Sequence, residues 1–287
     1  MKNILTFDIE EWFHILDYGG PNYKNTWDSK ESRVHIGLEH IFDVLEKTNS
    51  RATFFIVGWV AKKYPNIVKE IAERNYHIGS HSNMHQLAYN QTKEEFEKDL
   101  RSSLEILNTI LSKNVDSFRA PGFSIKSENL HYIDILIDNG IKIDCSIFPA
   151  NRSHGGIPEF PYSEPCVIKN SAGKEILELP MSKAKPFNLM PQSIYTGGGY
   201  FRLFPEKLIL KAIKKSDYNM LYFHPRDFDL LQPKLENLGP IKKFKTYVGI
   251  STCKSKLQSI LSYENCVDIP TFTRSLDKSG LPKYQIS

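Results

Sequence analysis

The chain alternates short apolar runs with longer stretches of helical periodicity. Residues 2–7 form a run that reads as a buried strand closing on acidic side chains. Val34, Leu38, Ile41, Phe42 and Leu45 recur at helical spacing and predict a helix that stops before Asn49. Residues 52–57 are a second apolar strand. Residues 59–74 are a second helix, with Pro65 marking a break or a fresh start inside it. Residues 76–80 read as a strand. Thr92 followed by Glu95 is a capping-box signature for a helix running to about Leu111. Residues 117–120 are a short strand. Residues 127–139 are helical with Gly140 just past the end, and residues 141–146 are another strand.

Strand followed by helix, repeated, predicts an α/β fold with a parallel sheet or barrel. The chemically active side chains fall at strand ends: Asp8, His81, Arg119 and Asp144. In a parallel architecture those ends share one face, where sites are built. Residues 147–199 break the rhythm. They are rich in Pro, Gly and Ser, contain a hairpin turning at residues 170–173, and read as a long insertion rather than a separate domain. Regular structure resumes with a helix at 205–215, a strand at 219–224 ending in His224, and a helix at 255–263. Residues 271–287 read as a polar tail. No internal repeat is present, so the organisation expected is one catalytic domain over 1–287.

Composition narrows the class. With 40% hydrophobic and 24% charged residues, the 287-residue chain is an ordinary globular protein with ample core. A net charge of +4, spread along the sequence, does not indicate nucleic-acid binding. No window approaches the ~20 apolar residues of a membrane span. Cys145, Cys166, Cys253 and Cys266 form neither a CxxC pair nor a disulfide framework. The sequence enters a strand directly after Met1, without a signal-peptide pattern, so a cytoplasmic location is expected.

Three clusters can carry chemistry. Asp8 and Glu10 point to one side of a strand and repel each other unless a cation or an arginine intervenes; Glu11 points the other way. His81 and His85, spaced four apart, suit one face of a helical turn and can chelate one ion. Two imidazoles and a carboxylate are a three-ligand catalytic set. Arg119 could hold a carboxylate ionised, and His224 could serve as general acid or base.

In this order and spacing, TFDIEEWFH, HSNMH, RAPGFS, the stretch IDCSIFP around Asp144, and LYFHP resemble the polysaccharide deacetylase family (carbohydrate esterase family 4, the NodB homology domain). GGGYFRLFP and the D-x-E form of the first motif resemble its exopolysaccharide-associated branch. The resemblance implies a distorted (β/α)7-type barrel carrying the long insertion. It implies Asp8 as catalytic base, Glu10, His81 and His85 as metal ligands, and Arg119 as the residue that holds the base. It further implies the Gly122 N–H as oxyanion donor, His224 as general acid and Asp144 as a partial match to the residue that tunes it. Ile9 stands where many members carry the metal-binding Asp, which makes Glu10 the ligand and Glu11 the fallback. The implied cofactor is one divalent ion, zinc before cobalt, nickel or iron, and the implied partner is an N-acetylated carbohydrate. Trp12, Phe13, Tyr195, Tyr200 and Phe201 could stack on sugar rings, and His14 and His154 could line the cleft. The expected activity is removal of an N-acetyl group from an amino sugar, nucleotide-linked, lipid-linked or in an oligosaccharide, during surface polysaccharide synthesis. The alternatives are an amidohydrolase acting on a small cyclic amide or formamide, and a silent carbohydrate-binding module.

Overall fold

The computed structural model describes residues 2–16, 18, 20, 22–182, 197–236 and 238–286. Nine strands form one sheet: β1 (Asn3–Ile9), β2 (Thr53–Ile56), β3 (His77–Ser80), β4 (Ser117–Phe118), β5 (Ile143–Asp144), β6 (Cys166–Lys169), β7 (Glu175–Glu178), β8 (Asn219–Phe223) and β9 (Lys283–Gln285). Their order is β8-β1-β2-β3-β4-β5-β7-β6-β9. From β8 to β7 every pairing is parallel, whereas β6 runs antiparallel to β7 and parallel to β9. Ten helices accompany the sheet among the described residues: α1 (Val34–Thr48), α2 (Gly58–Lys63), α3 (Pro65–Glu73), α4 (Lys93–Leu111), α5 (Tyr132–Asp138), α6 (Gly198–Leu203), α7 (Glu206–Lys215), α8 (Pro240–Tyr247), α9 (Ile250–Tyr263) and α10 (Ile269–Arg274). None is long and apolar enough to cross a membrane.

The parallel array curls towards closure. Past β7, the Met220 N–H donates to Ser182 Oγ at 3.0 Å and the Tyr218 hydroxyl to the Pro180 carbonyl at 2.8 Å. These bonds draw the chain after β7 against β8 in place of a continuous ladder.

Strand alternation fixes what each face of β1 does. Leu5, Phe7 and Ile9 point into the main apolar core, where Phe7 stacks on Phe54 with centroids 5.3 Å apart. Thr6, Asp8 and Glu10 therefore point to the opposite, polar side. Gly37 shows how closely α1 sits on the sheet end: a Cβ there would lie 2.1 Å from the Pro225 carbonyl oxygen. Only glycine permits that approach, and it seats α1 directly behind His224.

Several expectations change in the structure. The helix at 59–74 divides into α2 and α3 because Pro65 opens a new helix. The Thr92–Glu95 capping box is formed in both directions, an arrangement that contributes about 1 kcal/mol. The hairpin at 170–173 is present, but its second strand, β7, is part of the parallel wall beside β5; residues 147–199 are thus not simply an insertion. Residues 271–287 are not a loose polar tail: Phe272 and Ile286 are buried, and β9 pairs with β6. One apolar residue every few positions anchors this stretch, too sparse a pattern for periodicity to detect.

Candidate active site

Asp8, His81, Arg119 and His224 lie at or just beyond the carboxyl ends of β1, β3, β4 and β8, so parallel pairing gathers them on one side. They surround a cavity of about 220 Å³ whose lining includes Asp8, Glu10, His14, His81, His85, Gly122, His154, His224 and Arg226.

Arg119 is completely buried. Its Nη1 donates to Asp8 Oδ1 and to Thr6 Oγ1, each at 2.8 Å, and Thr6 passes its own proton to the Leu221 carbonyl. The guanidinium also lies over the Phe55 ring, 4.4 Å from its centroid. Burial opposes its charge, but Asp8 beside it prevails and raises its pKa. Removing either partner of so buried a pair would cost about 3–5 kcal/mol.

Glu10, His81 and His85 present ligand atoms that all lie within 4.8 Å of one another. His81 Nδ1 is 2.8 Å from the Arg119 carbonyl, which can only accept, so Nε2 is left with its lone pair free. His85 Nε2 approaches Glu10 Oε2 at 2.6 Å, yet that oxygen has no hydrogen-bond partner among the described residues. A buried carboxylate oxygen without a hydrogen bond, facing two imidazoles, is a donor set that fits a divalent cation. Burial alone would raise Glu10, but His85 and His224 hold its carboxyl well below the ordinary carboxylate range. Burial pushes His81 down to about 4, so its imidazole is neutral and could offer a lone pair.

The histidine pair is not on a helical turn. Ser82 and His85 have φ of 63° and 47°, and residues 81–85 form a loop. Asp99 of α4 accepts from the Asn83 and Met84 N–H groups at 2.7 and 2.9 Å. The Ser82 and Asn83 carbonyls in turn accept from Gly58 and Trp59 at the start of α2. Two left-handed residues cost of order 1–2 kcal/mol each; the Asp99 bonds and the α2 contacts offset that cost. Spacing of four predicts convergence in a helix, but here a buried acid sixteen residues away sets it.

His224 Nε2 lies 3.9 Å from Asp8 Oδ2 and 3.8 Å from Glu10 Oε1. Its other face is held by Asp227, whose Oδ2 accepts from the His224 backbone N–H at 2.9 Å and lies 3.2 Å from Nδ1. Asp227 Oδ1 is 3.1 Å from Arg202 Nε, and the remaining Arg202 donors go to the Lys245, Thr246 and Val248 carbonyls. Burial opposes the charge on His224, yet Glu10 and Asp227 raise its pKa to about 9. Asp227, in turn, is held well below its ordinary range by Arg202 and His224 despite burial.

Asp227 corrects the expectation for Asp144. Asp144 accepts from Ser146 Oγ at 2.6 Å and faces Glu178, far from the cavity lining. Burial raises both carboxyls, Asp144 to about 6 and Glu178 well above 4.5. The pair sits between β5 and β7, outside the cavity lining, and makes no contact with His224 among the described residues. The missed signal was local: an acid three residues after a histidine, across a proline, reaches back to the histidine backbone.

Gly122 has φ 61° and lines the cavity, and a Cβ there would strike Leu16 at 2.6 Å. Glu11 turns away, as alternation requires: it accepts from the Arg33 N–H at 3.0 Å and from the Ser32 hydroxyl, at the start of α1. Trp12 is off the cavity, with its indole N–H on the Glu31 carbonyl at 3.0 Å. Tyr200 stacks on Phe204, and Phe13 and Phe201 are fully buried; none of these lines the cavity, and Tyr195 lies outside the described residues. His14 does line it, stacked on His85 with Nδ1 accepting from the Glu11 N–H.

Residues 25–139 match the model of the Polysaccharide deacetylase family, and residues 145–272 match a Domain of unknown function (DUF3473). A peptidoglycan-N-acetylglucosamine deacetylase of Bacillus cereus is 34% identical over 92 residues, 32% of this chain and 34% of that one. A peptidoglycan-N-acetylmuramic acid deacetylase of Bacillus subtilis is 28% identical over 110 residues, 35% of this chain and 42% of that one. The chain thus spans well under half the length of these curated relatives. A crystal structure from Mycobacterium smegmatis, assigned to the polysaccharide deacetylases, superposes with a TM-score of 0.67 at 16% identity, covering 100% of this chain and 94% of that one. That likeness is one of fold. The family match, the relatives and the shared architecture together show that this chain carries a polysaccharide deacetylase domain of the NodB type on a mostly parallel α/β sheet.

Proposed function

We propose that the protein is a metal-dependent hydrolase that removes the N-acetyl group from an amino sugar, on a precursor used in surface polysaccharide synthesis. The observation that carries this reading is a base and an acid poised at one point. Asp8, held by Arg119, and His224, held by Asp227, stand 3.9 Å apart beside the three-atom donor set. The deacetylase names of the relatives support the same chemistry.

Glu10, His81 and His85 would hold the divalent ion, zinc suiting two nitrogens and one oxygen best. When bound, it would supply Lewis acidity and a water of lowered pKa. The residues of the chain do the rest. Asp8, kept ionised by Arg119, takes a proton from the attacking water as the water oxygen bonds to the acyl carbon. Gly122 lines the cavity in a left-handed conformation, and its N–H would donate to the developing oxyanion. As the carbon–nitrogen bond breaks, His224 gives its proton to the departing amine, leaving acetate and a free amino sugar. Asp227 keeps that imidazole oriented and charged until then.

A small closed pocket would suit a cyclic amide or formamide. The cavity instead opens into a groove of about 790 Å³, which favours a larger glycoside. The four described cysteines are free and buried, which suits a reducing, cytoplasmic compartment. The test is elemental analysis of the purified protein together with acetate release from a panel of N-acetylated sugars, with and without chelator. One ion per chain and chelator-sensitive acetate release are expected; a metal-loaded protein that releases no acetate from any of them refutes the assignment.

A further inference from the structure

We propose that the groove beside the reaction centre binds a phosphoryl group carried by the substrate, so that the amino sugar is presented as a phosphate- or diphosphate-linked glycoside. This rests on the deacetylase reading above and narrows its substrate class. The groove, of about 790 Å³, meets the catalytic cavity at His154, Tyr222, His224 and Arg226. A sugar whose acyl group reaches Asp8 and His224 therefore extends its far end into the groove.

Among the described residues, cations outnumber acids in the groove. Arg226, Lys242 and Lys245 line it. The acids among those residues are Glu10 and Asp227, and both are committed, Glu10 to His85 and Asp227 to Arg202 and His224. Arg202 also lines the groove, but it is consumed by Asp227 and three backbone carbonyls. Arg226 is different. It is half-buried at the junction of the two spaces, and among the described residues its guanidinium makes no hydrogen bond or ion pair. A partly desolvated guanidinium without a partner is costly unless a ligand supplies one, and its planar fork matches phosphate oxygens two at a time.

The lysines extend the same field. Lys242 Nζ is tethered to the Leu16 carbonyl at 3.2 Å, which fixes one ammonium at the rim. Lys245 follows three positions later on α8, so both lie along one side of that helix. Arg226 and Lys245 together supply two positive charges, which match the charge of a phosphate. Ile241 and Phe244 on the same helix are 73% and 57% exposed, so the phosphoryl group could be delivered by a soluble nucleotide or by a lipid carrier. Hydrolysis of the amide leaves the phosphoryl linkage untouched, so the groove acts on binding alone.

The test is equilibrium titration of the metal-loaded protein with N-acetylglucosamine 1-phosphate, a nucleoside diphosphate-N-acetylglucosamine, a polyprenyl diphosphate-N-acetylglucosamine in neutral vesicles, and neutral methyl N-acetylglucosaminide. The phosphorylated sugars are expected to bind at least about tenfold tighter than the neutral one. That preference is expected to shrink about tenfold in Arg226→Gln and about threefold in Lys245→Gln. It should also weaken between about 50 and about 300 mM NaCl. Equal binding of phosphorylated and neutral sugars, or a preference indifferent to both substitutions and to salt, overturns the proposal. Lys245 is exposed, so that variant remains folded if Arg226→Gln does not. Tighter binding of the polyprenyl form than the nucleotide form identifies the carrier as lipid, and the reverse as nucleotide. A charge-dependent preference without acetate release from any sugar would retain the groove and sink the deacetylase reading; acetate release without the preference would do the opposite.

Discussion

Replacing Asp227 by Asn separates an acid held in place from one that merely occupies the site. In the wild type, one carboxylate oxygen accepts from His224 twice and the other faces Arg202 Nε. Asparagine has one acceptor and one donor end. If its oxygen stays with His224, its amide opposes the buried guanidinium; if it flips, it opposes the imidazole N–H. A charge-assisted hydrogen bond contributes about 1.5–3 kcal/mol, which at 1.36 kcal/mol per pKa unit lowers the His224 pKa by about one to two. The general acid must be protonated to act, so activity falls as pH rises through its pKa. In the variant, the alkaline limb of the kcat profile should therefore move to lower pH by about one to two. The loss of orientation should cost about 100-fold in kcat, with KM nearly unchanged. Arg202 keeps its three carbonyl acceptors, so stability should fall by roughly 3 kcal/mol rather than collapse. Metal content should not change, because Asp227 is outside the donor set. The assay is acetate release against pH, with thermal unfolding and elemental analysis on the same sample. The same substitution made in His224→Ala should slow the reaction no further, since both act through one imidazole. An unmoved alkaline limb with kcat within about twofold of wild type, or an undiminished effect in the His224→Ala background, refutes the relay.

Asp8→Asn should retain the metal by elemental analysis while acetate release falls by about 10²–10⁴-fold; full activity removes it as the base. His81→Ala and His85→Ala should each abolish stoichiometric metal uptake, and a variant that still binds one ion per chain removes that residue from the ligand set. Gly37→Ala should lower stability by about 2 kcal/mol or more and also reduce kcat, because its Cβ would press on the Pro225 carbonyl beside His224; an unchanged melting curve contradicts that contact. His77 should make the fold acid-sensitive. Thr53 Oγ1 accepts from the Ile269 N–H and lies 3.0 Å from His77 Nδ1, and burial lowers His77 to about 4 from 6.5. The unfolded chain binds the extra proton first, so stability is full above pH 6.5 and is lost as pH falls towards 4. Partial exposure leaves about 1–2 kcal/mol of the roughly 3 kcal/mol this shift implies. Urea unfolding of His77→Gln should show a shallower loss across that window, and an identical slope excludes His77 as its source.

The sequence made the wall of the barrel legible because the signals were local. The apolar run of β1, the helical spacing in α1 and the capping box of α4 each depend on residues a few positions apart. The polar face of β1 followed from alternation alone, including the outward turn of Glu11. What escaped was set at a distance. The loop at His81–His85 takes its shape from Asp99, and no spacing within HSNMH reveals that. The choice of Asp227 over Asp144 depends on which acid Arg202 reaches, and Arg202 lies between the 147–199 insertion and the 205–215 helix, where the sequence pattern predicts no element. Trp12 and Tyr200 look like sugar platforms in the sequence, but neither lines the cavity: the Trp12 indole bonds to the Glu31 carbonyl, and the Tyr200 ring lies against Phe204 and Arg152.

The boundary between the two matched segments runs through the site rather than beside it. Residues 25–139 supply His81, His85, Arg119 and Gly122. Residues 145–272 supply His224, Asp227, Arg202 and all three groove cations, while Asp8 and Glu10 precede both. The second segment also contributes β7 and β8, which flank the two ends of the parallel array, so it cannot fold away from the first without opening the sheet. Two of the three candidate metal donors, His81 and His85, and the arginine that holds Asp8 therefore come from the part of the chain that matches the deacetylase model. The proposed proton donor, the acid that orients it and the charge that would select a substrate come from the part that does not. If substrate choice in this protein diverges from that of its relatives, the divergence belongs in residues 145–272, where a change to Arg226, Lys242 or Lys245 alters what is bound without moving a single donor atom of the metal set.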